Sequence, residues 1–387
     1  MSLLAVAFLA LVPQEPAPEP PQEPTPPGCR RCDYRGVVDC ENHDEELRLL
    51  EPAVLCSEAA ACTACGGALV VDCERCDDGP ESAAMVARRA ELAAWATQRH
   101  EVEDFLDRGL TRIDSQHLQL LASIDALRMP GRKKVEVDAH RFLHWVARDG
   151  ERAAAMIAGH YGATREDYKA PMRLWFWQDM QDHRRIMADF LGSGGSGDFK
   201  SLGRTPLFSV CTSDPVFEDD AVRLHTLGVH NAVHMLLSNL TREEWVGDLG
   251  AGWFDAGAAH WYEEAIFGLH RHYCVTEAPF PFNWNDGQWR AALRKLLDQE
   301  DASILPALVR KQTGELMDHE HAKAWSVYDW LVATHPDALA PMLLGLKDRK
   351  EPRELFQERL GMSLPEAERA WRAWVDLTYP KKEKRVR

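Results

Sequence analysis

The sequence predicts an α+β fold in two parts: a small cysteine-rich module, then a mostly helical domain with a small β-sheet and a helical C-terminal region. Three observations predict it. Cysteines recur at C-x2-C spacing in two copies of one pattern. Short period-two apolar runs alternate with longer segments of period 3.6. Two apolar segments within 224–268 carry histidines at helical spacing. At 387 residues and 45% hydrophobic composition, the chain has room for a large core. Its net charge of −16 excludes a general nucleic-acid binder, which needs a basic face. The basic run at 381–385 reads as a solvated tail.

Residues 1–12 contain the apolar run LLAVAFLALV, which has the length of a signal-peptide core and is too short to span a membrane. No Lys or Arg precedes it. Residues 13–28 follow as a proline-rich linker, extended and unable to pack a core. The expectation is export, periplasmic or extracellular, with the signal either cleaved or kept as an anchor and no other membrane span.

Residues 29–78 hold eight of the ten cysteines. CRRCDYRGVVDCENH (29–43) and CTACGGALVVDCERC (62–76) share one spacing and the run V-V-D-C. Each C-x2-C knuckle aims two thiolates at one point, and two knuckles complete a tetrahedral zinc site. The expected ligands are Cys29, Cys32, Cys40, His43, Cys62, Cys65, Cys73 and Cys76, enough for two zinc ions. Disulfides are the alternative in an exported chain; the knuckle spacing and His43 standing where a cysteine would be favour metal. No C-x-x-C is followed by His, which excludes a c-type haem. Cys56 is left over, and Cys211 and Cys274 read as ordinary buried thiols. The arrangement resembles the cysteine-rich domain of DnaJ-type chaperones. On that resemblance Cys29, Cys32, Cys73 and Cys76 hold one metal, and Cys40, His43, Cys62 and Cys65 the other. Pairing within each repeat fits the spacing equally well.

Residues 80–108 read as a charged, Ala-rich connecting helix. The main domain spans 110–380. Period-two patterning predicts a strand over 111–123, with strands at 172–177 and 205–211. Helices are expected over 137–161, stopped by Gly162, and from Asp179 to near Leu191, before the flexible GSGGSG at 192–197. Asp219 opens the helix that carries His230 and His234. Gly361 ends a late helix, and Ser363 with Glu366 makes a capping box for the next.

His230 and His234, four apart, stack on one helix face and could share a zinc ion. The order of elements around them, with WFDAGAAHWYE at 253–263, resembles the peptidase-MA or gluzincin catalytic domain. The closing segments 322–346 and 356–375 resemble those of bacterial exported members. The resemblance spans 110–379 and implies a zinc peptidase fold. In that superfamily the first histidine is followed by a catalytic Glu, and the second motif supplies a Glu ligand. Here those positions hold Asn231 and Ala256. An amide is no base at neutral pH, and losing a positioned base costs a factor of about 10² to 10⁴. Alanine has no donor atom. The resemblance therefore implies a catalytically inactive relative that binds protein or peptide. One alternative is an active zinc hydrolase in which His260, one turn beyond Ala256, completes a three-histidine site, with Glu263 or Glu264 as base. The other is a chaperone-like scaffold acting through the cysteine module.

Overall fold

A computed structural model of the chain describes residues 37–50, 54–73, 83–131, 135–194, 197–271, 284–299 and 304–382. The apolar N-terminal run, the proline-rich linker, and Cys29, Cys32 and Cys76 lie outside the described residues.

The described residues begin with β1 (Val37–Asp39), α1 (Glu45–Leu50), β2 (Leu55–Cys56), α2 (Ser57–Ala61) and β3 (Val70–Asp72). Two helices follow, α3 (Ala83–Ala96) and α4 (Glu101–Leu106). Then come β4 (Thr111–Asp114), β5 (Leu118–Ser123), β6 (Ala126–Arg128), β7 (Glu136–Asp138), α5 (Ala139–Tyr161), β8 (Met172–Trp177) and α6 (Met180–Arg185). The central part closes with β9 (Asp198–Ser201), β10 (Leu207–Cys211), α7 (Ala221–Asn239) and α8 (Gly252–Phe267). The C-terminal region is helical: α9 (Trp289–Gln299), α10 (Leu305–Leu308), α11 (Asp318–Thr334), α12 (Leu339–Lys347), α13 (Pro352–Leu360) and α14 (Leu364–Thr378). This is the expected α+β architecture.

A six-stranded sheet runs in the order β2-β4-β5-β8-β10-β9. β5, β8 and β10 are parallel, while β4 and β9 flank them antiparallel. Leu55 and Cys56 of the cysteine-rich segment pair with Asp114 and Ile113, so that segment is joined to the sheet by its own strand. Alternation along β8 decides which side each residue faces. Met172, Leu174 and Phe176 enter the main core with residues of α5 and α7. Trp175 and Trp177 pack on the other face against Val102, Ile186 and Met187.

Three expectations need correction. The 111–123 segment is a hairpin of β4 and β5, because Ser115 N bonds Leu118 O at 2.9 Å. Glu151 locks that turn by accepting from Ser115 Oγ, His117 N and His117 Nδ1 at 2.6–2.7 Å. The connecting helix is two helices, since the His100 ring accepts from Val102 N at 3.2 Å and caps a new one. The helix after Asp179 is α-helical only through Arg185; Ile186–Phe190 is a π-helical turn. The helix stops at Gly162 and Gly361 are both left-handed, at φ 66° and 69°, and the Ser363–Glu366 capping box is present.

The close approach of α8 to α11 depends on Gly257. A Cβ there would lie 2.5 Å from Ala324 O and 2.9 Å from its carbonyl carbon, both backbone atoms that cannot swing aside. Gly257→Ala is expected to destabilise the chain by about 1–3 kcal/mol through forced separation of the helices. Urea titration checks this, and an unchanged midpoint would show that the contact yields freely.

Candidate functional site

The first cluster grows from the repeated V-V-D runs. These are β1 and β3, and they pair antiparallel, Val37↔Asp72, Val38↔Val71 and Asp39↔Val70. The pairing sets Cys40 at the end of β1 beside the second repeat, where Cys40 N donates to Leu69 O at 2.9 Å. Two tight turns then present the ligands, with His43 N on Cys40 O at 3.2 Å and Gly66 N on Cys62 O at 2.8 Å. Gly66 and Gly67 hold φ of 56° and 84°, left-handed values suited to glycine.

The result brings Cys40, His43, Cys62 and Cys65 together, with all four ligand atoms within 4.8 Å of one another. Cys40 and Cys62 Sγ lie 4.0 Å apart, and Cys65 Sγ lies 3.4 Å from His43 Nε2. A tetrahedral zinc ion separates such atoms by about 3.4–3.8 Å, so the group could hold a metal with little movement. Burial raises the Cys65 thiol to about 11. At Cys62 burial acts the same way but is outweighed by hydrogen bonds from the Cys65 backbone and the Asn42 amide, which bring the thiol down to about 6. A thiol brought down this far is mostly thiolate at neutral pH, the form that binds metal. Cys73 is buried just after β3, and its expected partners lie outside the described residues.

The second cluster lies between α7 and α8. Asp220 caps α7 by accepting from Val222 N and Arg223 N at 2.9 Å. At the other end Lys347 Nζ donates to the Ser238, Leu240 and Arg242 carbonyls at 2.7–2.9 Å. Every residue of α7 from Leu224 to Asn239 is buried. His230 and His234 meet as their spacing predicts, Nε2 to Nε2 at 3.2 Å. Each ring's other nitrogen faces a carboxylate of α8. His234 Nδ1 is 3.1 Å from Asp255 Oδ1, and His230 Nδ1 is 3.4 Å from Glu263 Oε2. Carboxylates in that position orient imidazoles and free the opposite nitrogens for a cation.

His260 sits beside His230, ring centroids 4.9 Å apart, and its Nδ1 is also 3.4 Å from Glu263 Oε2. His230, His260 and Glu263 form a group able to hold a metal ion. Asn231 donates its amide to Leu227 O at 2.9 Å, back along its own helix. Ala256 is fully buried and brings no donor. Glu264 is turned outward and pairs with Arg290 at 2.7 Å.

Asp255 also accepts from Trp245 Nε1 at 2.8 Å and Thr313 Oγ1 at 3.0 Å, and Glu263 accepts from Arg271 N at 2.7 Å. Burial works against ionising either acid. His234 with Lys200 and Trp245 outweighs it at Asp255, and His230 with His260 outweighs it at Glu263, so both sit below the usual carboxylate range. Two buried carboxylates require compensating positive charge, which protonated imidazoles or a metal ion supply. His270, stacked on Trp289 at 3.8 Å, and His321, 5.4 Å from His260, extend the cluster. Sequence reasoning missed both, as well as the pairing of Asp255 with His234. These contacts join different elements, so no local spacing signalled them.

Fold and sites together define an α+β protein with cysteine–histidine and histidine–carboxylate groups that could hold metal ions. No family model matches the chain, and no curated protein matches it.

Proposed function

We propose that this chain is a catalytically inactive, gluzincin-like protein that carries structural zinc and binds protein or peptide. The observation that carries this reading is the closure of the histidine site: His230, His234, His260 and Glu263 are all fully buried. A hydrolase of this class needs a water-accessible fourth position on its metal and a base poised near neutral pH. Asn231 is bonded to its own helix, Ala256 lacks a donor, and Glu263 is held as a stable carboxylate far below the range useful to a base. Support for the fold assignment comes from the parallel strands with antiparallel β9 at the edge, and from the successive histidine-bearing helices.

Zinc is the ion that suits the donor set of Cys40, His43, Cys62 and Cys65. The apolar run at 3–12 supports action outside the cytoplasm. Among the described residues no helix is long and apolar enough to cross a membrane. An open groove of about 920 Å³ beside the start of α8, with Asp248, Arg310, Arg349 and Arg353 in its wall, is a suitable seat for an extended peptide.

The test uses the zinc-loaded full chain and a fluorescent pool of extended peptides. Saturable anisotropy without cleavage is the expected result. Cleavage that disappears in His230→Ala would replace this reading with an active hydrolase using His230, His234 and His260. Failure of the pool to bind would remove the binding role.

A further inference from the structure

Cys56, left over from the knuckle pattern, has a place in the fold that its spacing did not reveal. It lies on β2, fully buried, where the ladder to Ile113 holds its backbone. α5 begins nearby, its first turn set by Asp138, which accepts from Arg141 N at 2.8 Å. That helix presents His140 and His144 one turn apart, with ring centroids 4.5 Å apart and exposures of 3% and 1%. One ligand atom from each of Cys56, His140 and His144 falls within 4.8 Å of the others.

We propose that Cys56, His140 and His144 form a further metal site, separate from the four-ligand cluster, for a zinc-class divalent cation whose fourth position opens on a groove. One thiolate and two imidazoles are a borderline-soft donor set, suited to zinc or cobalt and unsuited to calcium or magnesium. The ligands stand on a strand and a helix, so their positions are set before metal arrives.

The open side is defined by His140. It lines a groove of about 370 Å³ with Asn42, His43, Glu58, Ala61 and Cys62, and Glu58 Oε2 reaches to 3.9 Å from His140 Nδ1. Three protein ligands with one accessible position is the arrangement of metal sites that bind an exchangeable ligand. Closed four-ligand sites hold structure. Glu58, 60% exposed, faces the same opening. The same groove touches His43 and Cys62, so the two metal sites would flank one opening.

The experiment strips the full-length protein with chelator and reloads it with Co²⁺, whose absorption reports bound thiolate. His144→Gln and Cys56→Ser are each expected to lower cobalt content by about one ion per chain relative to wild type. Adding Cys56→Ser to a Cys40→Ser/Cys62→Ser protein should remove one further ion per chain. Circular dichroism confirms folding, and His140→Gln, at the groove edge, serves as the milder variant if His144→Gln does not fold. Folded His140→Gln and Cys56→Ser proteins that both keep the wild-type cobalt content and spectrum would overturn the proposal.

Discussion

Cys62→Ser is expected to strip one metal ion from the chain and open the two-stranded sheet of β1 and β3. Three residues of pairing hold that sheet together, and two short strands alone are marginal in water. A metal ion held by Cys40 and His43 from one repeat and by Cys62 and Cys65 from the other would cross-link the two. Structural zinc contributes about 10–16 kcal/mol of apparent binding energy in small modules at neutral pH, and most of that is folding energy. The loss is local, since β2 remains tied to β4 and the large core does not include the ligand turns. Elemental analysis should show the missing ion, and limited proteolysis should show new cleavage between residues 37 and 73. A Cys62→Ser protein with undiminished metal and unchanged proteolysis would refute this.

The second large effect is at Glu263. Its carboxylate is fully buried, faces His230 and His260 at 3.4 Å each, and accepts from Arg271 N at 2.7 Å. Breaking a buried pair by removing one partner typically costs about 3–5 kcal/mol, because the remaining groups keep their desolvation penalty without their attraction. Glu263→Gln should therefore destabilise the chain by that amount and loosen both imidazoles. The neighbouring Glu264→Gln is the control. Its pair with Arg290 is partly exposed, 21% and 35% for the two side chains, and such pairs contribute at most about 1 kcal/mol. Denaturant titration of the two variants side by side checks the contrast. Equal midpoints would mean that Glu263 carries no more than a surface charge does.

Much of the local structure was legible in the sequence because it depends on near neighbours. The strand at 172–177 follows from its short apolar run, and the ends of α5 and α13 from Gly162 and Gly361. The hairpin at 111–123 was not legible: the alternating pattern continues through Ser115 and His117, and the turn is set by Glu151, a residue on α5. The break between α3 and α4 was hidden because an imidazole acts as the cap. Cys56 looked surplus in the knuckle arithmetic, since its companions are supplied by a helix more than eighty residues away. The i,i+4 pair His140 and His144 was as visible as His230 and His234 but lay in a segment read only for its core positions.

By itself, the sequence determined which chemistry each position can perform. Asn231 is no base and Ala256 no ligand in any fold, and the twin C-x2-C runs are able to donate to a metal by residue type and spacing. Only the tertiary structure decided which donors meet. The pairing of β1 with β3 brings together cysteines from different repeats, and the packing of α7 on α8 aims Asp255 at His234 and Glu263 at His230. The physical reason is range. Helical spacing fixes neighbours within one element, whereas contacts between elements depend on how whole buried faces pack, which no local pattern in this chain specifies.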